Sequence, residues 1–160
     1  MLKISRVAPL FAMAAFSISG ADLQSGVNAF DRGDYTSALK ELKPFSRKGD
    51  SLAQVMLGLM YYQAKGVTQD YHEALRLFLL AADQGEGMAQ LSIGFMYSGG
   101  QGVDRNFAQS YMRFTLCAAT PEVRDNCIKN RELVKGQMTS AQIAEGERLI
   151  AAWKQRIGKK

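Results

Sequence analysis

The chain is poor in the side chains that most often carry out catalysis. It has one histidine, two cysteines and one tryptophan in 160 residues. The histidine, His72, falls between Asp70 and Glu73 and reads as an exposed helix-start residue. Neither cysteine has a histidine near it in sequence, so no Cys–His nucleophile pair is indicated. No Cys/His cluster has metal-site spacing, and no metal or cofactor is expected. "SGGQGV" (98–103) is glycine-rich, but no strand precedes it, so it does not read as a phosphate loop. There are only three prolines, and apolar residues recur at i, i+3, i+4, which favours helices over strands. Charge is not clustered. The formal balance is +5, and without residues 1–21 it falls to +3, from 18 basic and 15 acidic side chains. That is too weak to indicate nucleic acid. The dense basic end, "WKQRIGKK", reads as a solvated terminus. With 47% apolar and 22% charged residues, the composition is that of an ordinary globular protein.

The first 21 residues read as a signal peptide. Lys3 and Arg6 precede an apolar run from Val7 to Ile18, and Ser19, Gly20 and Ala21 follow. The run is shorter than the ~20 residues that span a membrane, although an uncleaved anchor is the alternative reading. Cleavage is expected before Asp22, with cleavage after Ser19 as second choice. No second candidate span follows, so no stable membrane insertion is expected after processing. The mature chain is expected in the periplasm or secreted.

What the chain has in quantity is repetition. Residues 50–82 laid on 86–118 give ten identities in 33 positions without a gap. Ala53-Gln54 falls on Ala89-Gln90. Gly58, Met60 and Tyr61 fall on Gly94, Met96 and Tyr97, and Gly66-Val67 falls on Gly102-Val103. "DYTSALKELKPFSRKG" (34–49) falls on "DYHEALRLFLLAADQG" (70–85) at the same offset. Each unit reads as two helices, about 51–63 and 71–83 in the first copy. Asp70 is the expected N-cap, and Gly66 is expected to end the first helix in a left-handed conformation. Pro44 predicts a kink or an early helix end. A glycine inside a helix costs about 1 kcal/mol relative to alanine. Gly58 and Gly94 carry that cost at one register, which points to close helix packing, with Tyr61, Tyr97, Leu57 and Ile93 filling the surrounding space. Ala53, Gly58, Tyr61, Gly66, Ala89, Gly94, Tyr97 and Gly102 are therefore read as structural. The predicted fold is all-α: a short α-solenoid of tandem helix-turn-helix units in a right-handed superhelix.

"AQVMLGLMYYQAKGVTQDYHEALRLFLLAADQG" and "AQLSIGFMYSGGQGV" resemble Sel1-like repeats, relatives of the TPR unit. The resemblance covers roughly residues 27 to 118. Asn106 stands where the pattern has a capping Asp, and Lys65 stands where small residues are common. The organisation expected is a signal peptide (1–21), an N-terminal capping helix and half repeat (22–49), repeats at 50–85 and 86–119, and C-terminal capping helices with a basic tail (120–160). In the last segment Thr120 is the expected N-cap with Pro121 at the first helical position, and Thr139 with Gln142 has capping-box spacing. Ile143, Ile150, Trp153 and Ile157 form one apolar face. An even cysteine count in an exported chain favours a Cys117–Cys127 disulfide over two buried thiols. Some cysteine-rich Sel1-like proteins tie neighbouring helices at similar registers.

The resemblance implies a non-enzymatic protein of the bacterial envelope whose repeat groove takes a partner protein as adaptor, scaffold or inhibitor. No catalytic residue is assigned. The candidate partner-binding positions are Met56, Leu59, Tyr62, Gln63, Ser92, Phe95 and Ser98, with Leu59 and Phe95 at one register. The alternative is a binder or hydrolase of cell-wall glycan or β-lactam-type ligands, of the cysteine-rich Sel1-like kind. Tyr62 and Phe95 would be its available aromatics.

Overall fold

A computed structural model describes residues 22–157. The expected signal peptide and the last three residues lie outside them. The described residues contain eight α-helices and no strand: α1 (Leu23–Asp31), α2 (Tyr35–Arg47), α3 (Ser51–Gln63), α4 (Tyr71–Ala82), α5 (Gly87–Gly99), α6 (Phe107–Cys117), α7 (Arg124–Lys135) and α8 (Ser140–Ile157). A 3-10 turn, Pro121–Val123, precedes α7. Helices α1–α2, α3–α4 and α5–α6 pair as hairpins, the hairpins stack through α2–α3 and α4–α5, and α6 packs against both α7 and α8. The chain is a tandem-hairpin solenoid, as the repeat predicts.

Local chemistry starts most of the helices. The side chains of Asp34, Asp50, Asp70 and Asn106 each accept a hydrogen bond from a backbone amide in the first turn of α2, α3, α4 and α6. Asn106 caps as the aspartates do, because either side chain offers an oxygen at that distance. Helix α5 starts without such a bond. The Glu86 carboxylate accepts instead from the Ser51 hydroxyl at 2.6 Å, tying the start of α5 to the start of α3. Helix α2 runs past Pro44 to Arg47, so the expected early end does not occur. The helix continues for three residues beyond the proline although one backbone donor is missing there.

The recurring glycines have specific partners. A Cβ at Gly58 would lie 2.6 Å from the Phe78 ring, and one at Gly94 would lie 2.5 Å from the Phe114 ring. The close approach is thus helix backbone to aromatic ring, and Phe78 and Phe114, both fully buried, fill the space that the sequence assigns to Tyr61, Tyr97, Leu57 and Ile93. In the opening hairpin Gly26 meets Leu42 in the same manner, at 2.8 Å. There the connection shortens to three residues, 32–34.

The loops repeat too. The amide of Asp70 donates to the Tyr61 carbonyl at 3.1 Å, and that of Asn106 to the Tyr97 carbonyl at 2.9 Å. A Cβ at Gly66 would strike the Tyr35 Cβ at 2.5 Å, and one at Gly102 the Tyr71 Cβ at 2.7 Å. Each loop therefore rests on the first residue of the preceding hairpin's second helix, and glycine is required by that contact and by its positive φ. The left-handed residue that ends α3 is Ala64, not Gly66, and its amide donates to the Met60 carbonyl. Gly100 holds the same position after α5.

The second half of the Ala-Gln pair is a clamp. Gln54 is buried and donates to the Ser46 carbonyl at 3.4 Å. Gln90, also buried, donates to the Ala82 carbonyl at 3.3 Å. Each glutamine adds a second donor to a carbonyl at the end of the preceding hairpin, which already accepts from the amide of Gly49 or Gly85.

The array closes through its last three helices. Cys117 on α6 and Cys127 on α7 form a disulfide, with Cα atoms 5.9 Å apart. Thr139 and Gln142 exchange both capping-box bonds, at 2.9 and 3.2 Å. Thr120 makes no cap bond, because its side chain is packed over Gly87. Ile150 is buried and Trp153 half-buried in the final core cluster, as the apolar face of α8 predicts.

Candidate interaction surface

Helices α3 and α5 each have a hairpin partner on one side and a stacked neighbour on another. Most of their residues are consequently buried, including the polar Gln54 and Gln90. What remains uncovered is a narrow strip. On α3 it runs from Leu52 past the half-buried Leu59 to Gln63, and on α5 from Met88 past the half-buried Ser92 to Phe95. Leu52 and Met88 occupy one register of the repeat and are 43% and 41% exposed, and Phe95 is 39% exposed. Large apolar side chains left this open at equivalent positions of consecutive units form a candidate contact surface.

The predicted positions divide into three groups. Met56 is buried in the first core cluster, so it is not available to a partner as expected. The reason is that α3 is enclosed by α2 as well as α4. Leu59, Tyr62, Ser92 and Ser98 are half-buried. Leu59 packs on the second cluster, the Ser92 hydroxyl donates to the Met88 carbonyl, and the Ser98 hydroxyl donates to the Phe95 carbonyl. Tyr62 donates to Gln101 Oε1 and its ring meets Tyr71 edge-on, with centroids 5.4 Å apart. Burial raises its pKa above the ordinary phenol value. Tyr62 thus links two consecutive units. Gln63 and Phe95 are exposed, and the Phe95 ring rests edge-on against Phe114 at 5.3 Å.

Leu52 and Met88 were missed in sequence. A signal existed: each lies seven residues before Leu59 or Phe95, on the same helical stripe, and the two are 36 residues apart.

A second feature lies at the C-terminal end of the array. Where the first unit has Leu77, the second has Arg113, 8% exposed, with Nη1 donating to Gln90 Oε1 at 3.0 Å. It lines a cleft of about 250 Å³ between α6 and α8 together with Met112, Leu149, Trp153 and Arg156. Burial pushes the Arg113 pKa below the usual guanidinium value.

No described helix is long and apolar enough to cross a membrane. Residues 51–86 and 87–112 match the family model for the Sel1 repeat. No curated protein matches the chain. Among solved structures it is similar to c5321, a protective antigen present in uropathogenic Escherichia coli strains displaying an SLR fold. The TM-score is 0.75 and the identity 27%, over 81% of this chain and 28% of that one. A Sel1 repeat protein from Oxalobacter formigenes matches in fold with a TM-score of 0.58 at 24% identity, over 61% of this chain and 40% of that one. The chain therefore spans well under half the length of either structure. Residues 51–112 thus carry two Sel1 repeats, in the two central hairpins that share the Gly–Phe contacts, glutamine clamps and glycine loops, and the chain has an all-α tandem-repeat fold like that of the SLR-fold c5321.

Proposed function

We propose that this protein is a non-enzymatic scaffold of the bacterial envelope that binds a partner protein along the uncovered strip of α3 and α5. The observation that carries this reading is the exposed apolar pair Leu52 and Met88 at one register, continued by Leu59 and Phe95. Sel1 repeats generally act as protein-interaction scaffolds, and repetition gives a partner equivalent contacts on successive units. Partner side chains that reach this strip are expected to be apolar, since the strip itself carries no charge. The envelope setting is supported by the leader-like segment 1–21 and by a disulfide, which persists in oxidising compartments.

The test is photo-crosslinking. A crosslinker placed at residue 52, 88 or 95 of the 22–160 chain is expected to capture one dominant protein from envelope extract at all three positions. Capture of cell-wall glycan fragments in its place, or of different proteins at each position, would reject the reading.

A further inference from the structure

The cleft between α6 and α8 breaks the rules that the rest of the array obeys. Its floor holds a buried arginine at a register that is leucine in the preceding unit. No carboxylate lies within ion-pair distance of Arg113 among the described residues. The nearby Asp83 carboxylate is paired to Arg156 at 2.9 Å. Arg113 Nε is buried without a hydrogen-bond partner, and so is Trp153 Nε1. Both residues line the same cleft. Two N–H donors and an uncompensated cation ask for an acceptor that carries negative charge. The remaining wall is mostly apolar, from Met112, Leu149 and Ala152, with the polar Gln109 beside them.

We infer that this cleft is a binding site for a carboxylate attached to an apolar group, such as an acylated amino acid or a peptide C-terminus. Arg113 and Trp153 supply the donors, and Arg156 is released from Asp83 to join them. The site is on the α6–α8 face and does not depend on the α3–α5 strip.

The lone tryptophan gives a direct readout through its fluorescence and single indole N–H resonance, and because Trp153 also borders a neighbouring cleft with Gly85, Thr120 and Lys154, the Arg113 variants assign the signal to this one. The probes are N-acetyl-leucine, N-acetyl-leucinamide and acetate, titrated into the 22–160 chain. N-acetyl-leucine is expected to saturate both signals, acetate to bind at least about tenfold more weakly, and the amide to have no effect. Arg113→Leu restores the residue of the first unit and should fold, with at least about a tenfold loss of affinity, in line with the loss of a charge-assisted bond. Arg113→Lys keeps the charge but loses the planar fork, and should bind with intermediate affinity. Asp83→Asn removes the competing carboxylate and should tighten binding. The inference is overturned if N-acetyl-leucine causes no saturable shift. It is equally overturned if the amide or acetate binds as well, or if folded Arg113→Leu binds unchanged. Any of these would leave the two donors to water alone.

Discussion

The two central hairpins are the same machine built twice, and their differences carry more information than their likeness. Both seat a phenylalanine ring over a helical glycine, Phe78 on Gly58 and Phe114 on Gly94. Both clamp the preceding hairpin with a buried glutamine, and both rest a loop glycine on the aromatic that precedes it. Three of the differences between them are the most informative. Ala74 becomes Ser110, whose hydroxyl donates to the Gly94 carbonyl at 2.7 Å. Ala64, left-handed at φ 55, becomes Gly100 at φ 68. Leu77 becomes Arg113. The first is satisfied locally and the second is a backbone preference. The third buries a charge without a carboxylate, which makes the second hairpin the one with a structural reason to bind something.

The comparison can be broken most forcefully at the rings. Phe78→Ala and Phe114→Ala should each cost about 3–5 kcal/mol, measured by chemical denaturation. Gly58→Ala and Gly94→Ala should cost about 1–3 kcal/mol through overpacking. In double mutants the glycine penalty should largely vanish once the ring is gone. Unequal costs in the two hairpins would refute their equivalence. The disulfide belongs only to the second hairpin's end. Replacing Cys117 and Cys127 by serine should destabilise by about 2–3 kcal/mol, the value for closing a short loop.

A smaller effect separates the helix ends. Ala64→Gly relieves left-handed strain of about 1–2 kcal/mol, offset by roughly 0.4–1 kcal/mol of added unfolded-chain entropy. It should raise the melting temperature slightly, and Gly100→Ala should lower it by a similar step. The smallest effect is a pH dependence. Burial, then the neighbouring Glu147 that accepts from its hydroxyl at 2.6 Å, pushes the Tyr111 pKa from 10.0 up to about 12. A folded pKa above the unfolded one means stability present below pH 10 and lost as pH rises towards 12. Tyr111→Phe should remove that part of the alkaline loss in thermal melts.

The order and most of the starts of the helices were readable because caps and repeats are local signals, whereas the ends of α2 and α3 differ from the expectation. Asp70, Asn106 and the Thr139–Gln142 box sit where side-chain oxygens reach first-turn amides, and sequence spacing is enough to see that. The partner of Gly58 was not readable, since Phe78 lies 20 residues away and only the hairpin brings it near. The uncovered strip was half readable. Helices α3 and α5 are buried nearly all round, so apolar periodicity barely marks which face is open. That is why Met56 is a candidate in sequence although it is buried, and why Leu52 and Met88 are not among the candidates although they are exposed. The unpartnered donors of Arg113 and Trp153 depend on the packing of α8 against α6, on which spacing is silent.

The interaction claim is tested most directly by charge placed on the strip. Leu52→Glu and Met88→Glu leave the core untouched, and Leu133→Glu on α7, at a side chain 58% exposed, is the control. Retention of the crosslinked partner would be measured alongside the melting temperature of each variant. The account predicts that both strip variants lose the partner at least about tenfold, an interface hot-spot effect, with melting unchanged, while the control keeps it. Full retention by both strip variants, or equal loss by the control, would contradict it.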